Sequence, residues 1–308
     1  MASESDLERR LAGVRGLVLD LDGVLVLRNA LLPGAVEALA MLEARGIPYV
    51  VGTNMSIVSR ATLAGELTRG GLPIPPDLIV TASSAAAALA RRRFGAEPLY
   101  VMGSADCLTE FDGLRLLTHD EAAETDAVAA VIVGDAGQEF TARNMQSAFR
   151  LLRGGARFVA MHKNRWWITP SGVTLDSGAY VAALEFGVER RALVTGKPAR
   201  AFFAETVRML SAIAGAPASD GAPASDGGAA SDGAARRPLR PGEAAMVGDD
   251  LWNDIRGAQR AGMLGVFVRS GKHGDAELAR AAKERGGWSP EAIAPSIREV
   301  VAAMLAAP

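Results

Sequence analysis

The sequence predicts an α/β protein built on parallel sheet. Two observations carry that expectation. Short apolar runs bounded by Gly, Asp, Thr or Ser recur along the 308 residues, and longer Ala-, Leu- and Arg-rich stretches with helical spacing separate them. Unbroken apolar runs suit strands buried on both faces, and their alternation with helices suits βα units. In chain order the runs are Leu17-Val18-Leu19, Tyr49-Val50-Val51, Leu78-Ile79-Val80, Leu99-Tyr100-Val101, Val131-Ile132-Val133, Phe158-Val159-Ala160, Ala192-Leu193-Val194, Ala245-Met246-Val247 and Gly265-Val266-Phe267-Val268. Helices are expected at Gly34 to Arg45 (just after Pro33), Ser83 to Arg93, Ala199 to Ala214 and Pro295 to Ala306.

Composition narrows the chemistry. Hydrophobic residues make up 49% and charged ones 22%, the balance of a soluble globular chain. A net charge of −2 gives no basic field for nucleic acid or an anionic membrane. Cys107 is alone, so internal disulfides and cysteine-built zinc sites are excluded, and His119, His162 and His273 form no H-E-x-x-H pattern. The polar, charged stretch Met1 to Arg10 does not read as a signal peptide, and the longest apolar stretch, around Ala127 to Val133, is strand-sized. A cytoplasmic protein without membrane or nucleic-acid partners is the expectation. Gly215 to Arg237, an imperfect Ala-Pro-Ala-Ser-Asp-Gly repeat, lacks large apolar side chains and reads as a flexible surface insertion.

Four of the predicted strands end in polar clusters. Asp20-Leu21-Asp22-Gly23 follows the first, Thr53-Asn54 the second, Thr195-Gly196-Lys197-Pro198 a later one and Gly248-Asp249-Asp250 the run at Val247. In a parallel sheet the carboxyl ends of the strands line one edge, where ligands bind, so the four clusters are expected to converge there. Asp20, Asp22, Asp249, Asp250 and Asp254 in one crevice would repel one another unless a cation sat among them. A hard divalent ion meets that need, and Mg²⁺ commonly joins one or two carboxylates to a substrate phosphate. Lys197 and the Thr53 hydroxyl supply what a doubly negative phosphoryl group requires. Taken singly each cluster has a plainer reading, as a turn, a helix cap or a first-turn acid; their order and common placement are the signal.

Asp20-Leu21-Asp22-Gly23-Val24, Thr53-Asn54, Gly196-Lys197-Pro198 and Gly248-Asp249-Asp250 with Asp254 resemble the four ordered motifs of the haloacid dehalogenase superfamily, phosphatase branch. The resemblance implies a Rossmann-like core, residues 1–82 and 191–308, with an α/β cap inserted at 83–190. It implies that Asp20 is the nucleophile, forming an aspartyl-phosphate, and that Asp22 is acid and then base, with its carbonyl on Mg²⁺. Thr53 and Asn54 would orient the phosphoryl oxygens and Lys197 would neutralise charge. Asp20, Asp22 and Asp249 would hold the metal, and Asp254 would order Lys197 or a metal-bound water.

Asn144 to Arg153, Met161 to Trp167 and the tail from Gly262 to Lys272 are similar to one branch, the phospholysine phosphohistidine inorganic pyrophosphate phosphatases. Within the cap, His162 and Asn164 are the residues expected to face substrate, and Trp166 and Trp167 could stack or simply pack. Cys107 is expected to be inert, and Arg91-Arg92-Arg93 to be the solvated end of a helix. The expected function is a Mg²⁺-dependent phosphatase of small phosphorylated metabolites, with a homodimer as the expected assembly. The alternatives are pyrophosphatase or phosphotransferase chemistry at the same site, and a non-catalytic phosphometabolite-binding protein, which the intact motifs disfavour.

Overall fold

The computed structural model describes residues 4–28, 30–169, 172–215, 237–284 and 286–307. Its parallel strands are β1 (Gly16–Leu19), β2 (Tyr49–Gly52), β3 (Ile79–Val80), β4 (Leu99–Met102), β5 (Leu116–Leu117), β6 (Ala130–Val133), β7 (Arg157–Ala160), β8 (Leu193–Val194), β9 (Ala244–Gly248), β10 (Leu264–Val268) and β11 (Ala292–Ala294). They form two sheets, one of order β11-β10-β9-β1-β2-β3 and one of order β8-β7-β6-β4-β5. Short antiparallel hairpins lie at Val26–Leu27 with Ala30–Leu31 and at Trp166–Thr169 with Gly172–Leu175.

Period-two alternation places the apolar side chains on both faces of the first sheet. Leu17, Leu19, Tyr49, Val51 and Val247 face helices α1 (Glu4–Leu11), α2 (Ala35–Ala44) and α3 (Arg60–Arg69). Val18, Val50 and Met246 face Phe202, Phe203, Val207 and Leu210 of a later helix, Arg200–Gly215. The second sheet is covered in the same way. Leu99, Val101, Ile132 and Val159 pack on the alanine face of α4 (Ala82–Phe94), whose Thr81 cap accepts the Ser84 N–H. Tyr100, Val131 and Phe158 pack on α5 (Ala142–Arg153) and α6 (Ser177–Val188). The helix returning to the first sheet, Arg200–Gly215, is α7, and Ile297–Ala306, which closes the first layer, is α8.

The nine predicted runs are strands and the four predicted helices form within two residues of their expected ends. One placement differs with consequence. β8 pairs with β7 in the second sheet, whose other strands all come from residues 99–160. The Thr195 to Pro198 cluster therefore follows a strand of the second sheet, not of the first. β5 and β11 were not expected; each is only two or three residues long. The Arg91-Arg92-Arg93 helix end is also more engaged than a solvated terminus. Arg91 donates to the carbonyls of Glu110 and Asp112, and Arg92 pairs with Glu205 of α7 at 3.1 Å. Residues 216–236 of the repeat segment lie outside the described residues, so the expectation of flexibility there is untouched.

Candidate active site

β1 and β9 are neighbours at the point where strand order reverses, the place where an open parallel sheet parts at its carboxyl edge. Asp20 leaves β1 there with its N–H on the Val247 carbonyl at 2.9 Å. Its Oδ1 accepts both the Leu21 N–H at 2.8 Å and Lys197 Nζ at 2.7 Å, which leaves Oδ2 for a ligand or an attack. Lys197, 4% exposed, also pairs with Asp254 at 2.7 Å. Burial works to lower the Lys197 pKa, but Asp20 and Asp254 outweigh it and hold the ammonium above its ordinary value.

Asp254 projects from a π-helical turn, Leu251–Arg256, a distortion frequent at functional sites. Its second oxygen accepts the Asp250 N–H at 3.0 Å. Asp250 caps the same turn, accepting the N–H groups of Trp252 and Asn253. Gly248 is required by the close approach: a Cβ there would fall 2.4 Å from that of Asp254.

Thr53 and Asn54 have separate tasks. The Thr53 N–H is taken by the Val80 carbonyl, and its Oγ1 accepts the Met55 N–H at 3.2 Å, so the hydroxyl proton is left to donate to a further acceptor. Asn54 spends its side chain on the lysine loop, donating to the Lys197 carbonyl and accepting the Lys197 N–H. A Cβ on Gly196 would meet Asn54 Oδ1 at 2.6 Å, so glycine there admits the clamp.

Asp20, Asp249 and Asp254 each bring one carboxylate oxygen within 4.8 Å of the others. Asp249 Oδ2 accepts the Lys272 N–H at 2.7 Å, while its Oδ1 is buried without a hydrogen-bond partner. Burial, then Asp254, raises Asp249 to about 6; burial, then Asp20, raises Asp254 to about 7. Burial also raises Asp20, against the pull of Lys197. Buried acids with raised pKa values and an orphan oxygen are what an oxygen-ligated divalent cation relieves, so these residues fit Mg²⁺. Asp254 joins Asp20 and Asp249 in this side-chain cluster, whereas Asp22 was expected to offer its backbone carbonyl and its carboxyl is not part of the cluster. Asp22 is exposed at the crevice, yet enough protein surrounds it for desolvation to raise its pKa.

The cap residues are placed more tightly than the sequence implied. His162 is 3% exposed, with Nε2 on Ser56 Oγ at 2.9 Å. Asn164 is half-buried and its side chain bonds Asp176. Trp166, 59% exposed, lines a cavity of about 650 Å³ with Lys163, Arg165 and Leu175, whose lining includes none of Asp20, Asp22, Asp249 and Asp254; the Trp167 side chain lies outside the described residues. Cys107 is buried, and that burial pushes its thiol up to about 12, an inert state.

Sequence reasoning missed the loop after β10. Ser270 donates to the Gly23 carbonyl at 2.6 Å, and Lys272 pairs with Asp250 at 3.0 Å besides holding Asp249. Cβ atoms on Gly23 and Gly271 would lie 2.2 and 1.9 Å from Asp249 Oδ2, so both glycines cradle that carboxylate. The signal was available: Ser270-Gly271-Lys272 is another polar cluster at the carboxyl end of an apolar run.

This site and sheet order define a haloacid dehalogenase-like hydrolase. The haloacid dehalogenase-like hydrolase family model matches residues 17–116, and a HAD-hydrolase-like model matches residues 194–300. The mouse haloacid dehalogenase-like hydrolase domain-containing protein 2 is 33% identical over 260 residues, covering 84% of this chain and 86% of its own. The human phospholysine phosphohistidine inorganic pyrophosphate phosphatase is 33% identical over 270 residues, covering 86% of each. The chain belongs to this family. The 4-nitrophenylphosphatase of Thermotoga maritima superposes with a TM-score of 0.76 at 24% identity, over 96% of this chain and 99% of its own. NagD of E. coli K-12 gives 0.74 at 23% identity, over 93% and 98%. Both share the fold. Among the described residues no helix is long and apolar enough to cross a membrane.

Proposed function

We propose that the chain is a Mg²⁺-dependent phosphatase of small phosphorylated metabolites that works through an aspartyl-phosphate on Asp20. The observation that carries this reading is the buried lysine shared between Asp20 and Asp254, with one Asp20 oxygen left free. Lys197 pulls the Asp20 pKa down against burial, which raises it, and so favours the carboxylate form that a nucleophile needs.

Asp20 and Asp249, with the Asp22 carbonyl, would hold Mg²⁺, with Asp254 beside them. The ion would offset the charge of the phosphoryl oxygens and the carboxylates. Asp20 Oδ2 attacks phosphorus in line while the Thr53 hydroxyl and Lys197 position and neutralise the oxygens. Asp22, whose raised pKa favours the acid form, protonates the leaving oxygen. It then takes a proton from the water that cleaves the aspartyl-phosphate, returning Asp20 to its starting state.

A second reading, pyrophosphate as substrate on the same residues, is supported by the human relative's name and its 33% identity. Release of p-nitrophenol from its phosphate ester, by wild type and Asp20→Asn, with and without EDTA, tests the reading. Loss of activity in the variant and with chelator is expected. A folded wild type inactive on this ester and on a broad panel of natural phosphates, pyrophosphate included, would overturn it.

A further inference from the structure

Ser56, three residues beyond Thr53, is where the phosphate-binding loop meets the cap. Its Oγ bonds His162 Nε2 at 2.9 Å and accepts the Asp135 N–H at 3.1 Å. His162 lies just past the end of β7, and the residue before it, Met161, accepts the Gly196 N–H at 2.6 Å. The end of one cap strand therefore touches both the loop carrying Thr53 and the loop carrying Lys197. The rest of the Thr53 loop also takes partners from the cap. Ser59 donates its N–H and Oγ to Asp106 at 2.8 and 3.1 Å, and Arg60 donates its N–H and Nε to Glu110 at 2.6 and 2.9 Å.

The proton on His162 follows from its neighbours. The Asn164 N–H can only donate, and it points at Nδ1 at 3.3 Å, so Nδ1 carries a lone pair and the ring proton sits on Nε2, donated to Ser56. Ser177 Oγ lies 3.3 to 3.4 Å from both ring nitrogens, and Asp176 Oδ1 is 3.8 Å from Nε2. Burial keeps the imidazole below its ordinary pKa against the pull of Asp176 and Asp135, so the neutral form makes this contact.

We propose that His162 is a positioning residue: its bond to Ser56, beside the Met161 bond to Gly196, holds the phosphate-binding loop and the lysine loop in register across the boundary between cap and core. The kinetic consequences rest on the phosphatase reading; the structural coupling does not. A His162 that contacted substrate directly would act on KM instead.

The test uses His162→Ala, Ser56→Ala, the double variant and His162→Gln in the full chain. Turnover of p-nitrophenyl phosphate is measured alongside backbone hydrogen exchange over residues 53–58 and 194–198. Each alanine variant is expected to lower kcat on the order of 10- to 100-fold through misplacement of reacting groups, with KM changed no more than about twofold. The double variant should be no worse than either single, because the two residues act through one contact. Gln, which can still donate to Ser56, should restore most of kcat, and exchange should quicken in both segments in His162→Ala. A raised KM with kcat intact, additive losses, or exchange unchanged in the Thr53 and Lys197 loops would overturn the proposal. If wild type hydrolysed no phosphate ester, the phosphatase reading would fail and exchange alone would decide: faster in both segments and restored by Gln supports the coupling, unchanged refutes it.

Discussion

Asn54 and Lys197, 143 residues apart in the chain, are joined by two hydrogen bonds: Asn54 Nδ2 donates to the Lys197 carbonyl at 3.0 Å, and the Lys197 N–H donates to Asn54 Oδ1 at 2.7 Å. One amide side chain thus locks a loop from the core sheet to a loop from the cap sheet. Lys197 is held by its backbone as well as by its two carboxylate partners, Asp20 and Asp254. The cluster exists only when both sheets are assembled, since its members follow strands of each.

Removing the central cation should be costly. Lys197→Met would leave Asp20 and Asp254 buried and facing each other, a loss of about 3–5 kcal/mol by the usual cost of breaking a buried pair. Denaturant unfolding of the metal-free protein measures it. A loss below about 1 kcal/mol would mean that the pair is solvated and does not organise the site.

Asp22→Asn separates the two half-reactions. p-Nitrophenolate leaves without a proton, so phosphorylation of Asp20 by this ester should survive, whereas activation of water should not. A rapid burst of about one p-nitrophenol per chain followed by slow turnover is expected. Alkyl phosphates, which need the acid, should lose about 10²- to 10⁴-fold in kcat without any burst. Equal losses on both ester classes, with no burst, would remove Asp22 from the acid role.

In the metal-free protein the folded state raises Asp249 to about 6 and Asp254 to about 7 from the ordinary carboxyl value of 3.8. Between those limits the folded chain keeps protons that the unfolded chain has released, so these groups make stability fall as pH rises, levelling off above the folded values. Asp250 has the opposite sign: burial opposes it, but Lys272 and the Asn253 N–H hold it at about 2, and its favourable contribution is lost only below the ordinary carboxyl range. Mg²⁺ should therefore raise Tm more at about pH 7 than at about pH 5. The reverse order in a thermal melt series would contradict the site as drawn.

Gly271→Ala should act on the metal and leave the fold intact. Its Cβ would lie 1.9 Å from Asp249 Oδ2, and Gly271 is on a loop, so the carboxylate must move. A displaced ligand of this kind weakens metal affinity by about 10- to 100-fold, read as a higher Mg²⁺ concentration for half-maximal activity. An unchanged Mg²⁺ dependence would place the ion elsewhere.

Much of this was legible in the sequence. The core strands are unbroken apolar runs because helices cover both faces of each sheet, and Asp20, Thr53, Lys197, Asp249 and Asp254 were recognisable because each closes such a run or follows one closely. What escaped notice was non-local. No pattern within Leu193-Val194 says which sheet it joins; pairing with Val159 and Ala160 decides that. His162 could not be told from a surface histidine, since its hydrogen-bond partner Ser56 lies 106 residues earlier. Lys272 was overlooked because its two partners, Asp249 and Asp250, lie on a neighbouring strand's loop, though its place after β10 obeyed the rule that found the others.

The most direct test of the central claim is to quench the Mg²⁺-loaded enzyme in acid during turnover of a substrate carrying a radiolabelled phosphoryl group and map the labelled peptide. Label on the peptide containing Asp20, increased in Asp22→Asn and absent in Asp20→Asn, is the predicted result. Steady turnover with no label on the protein, or label on any other residue, would contradict the account.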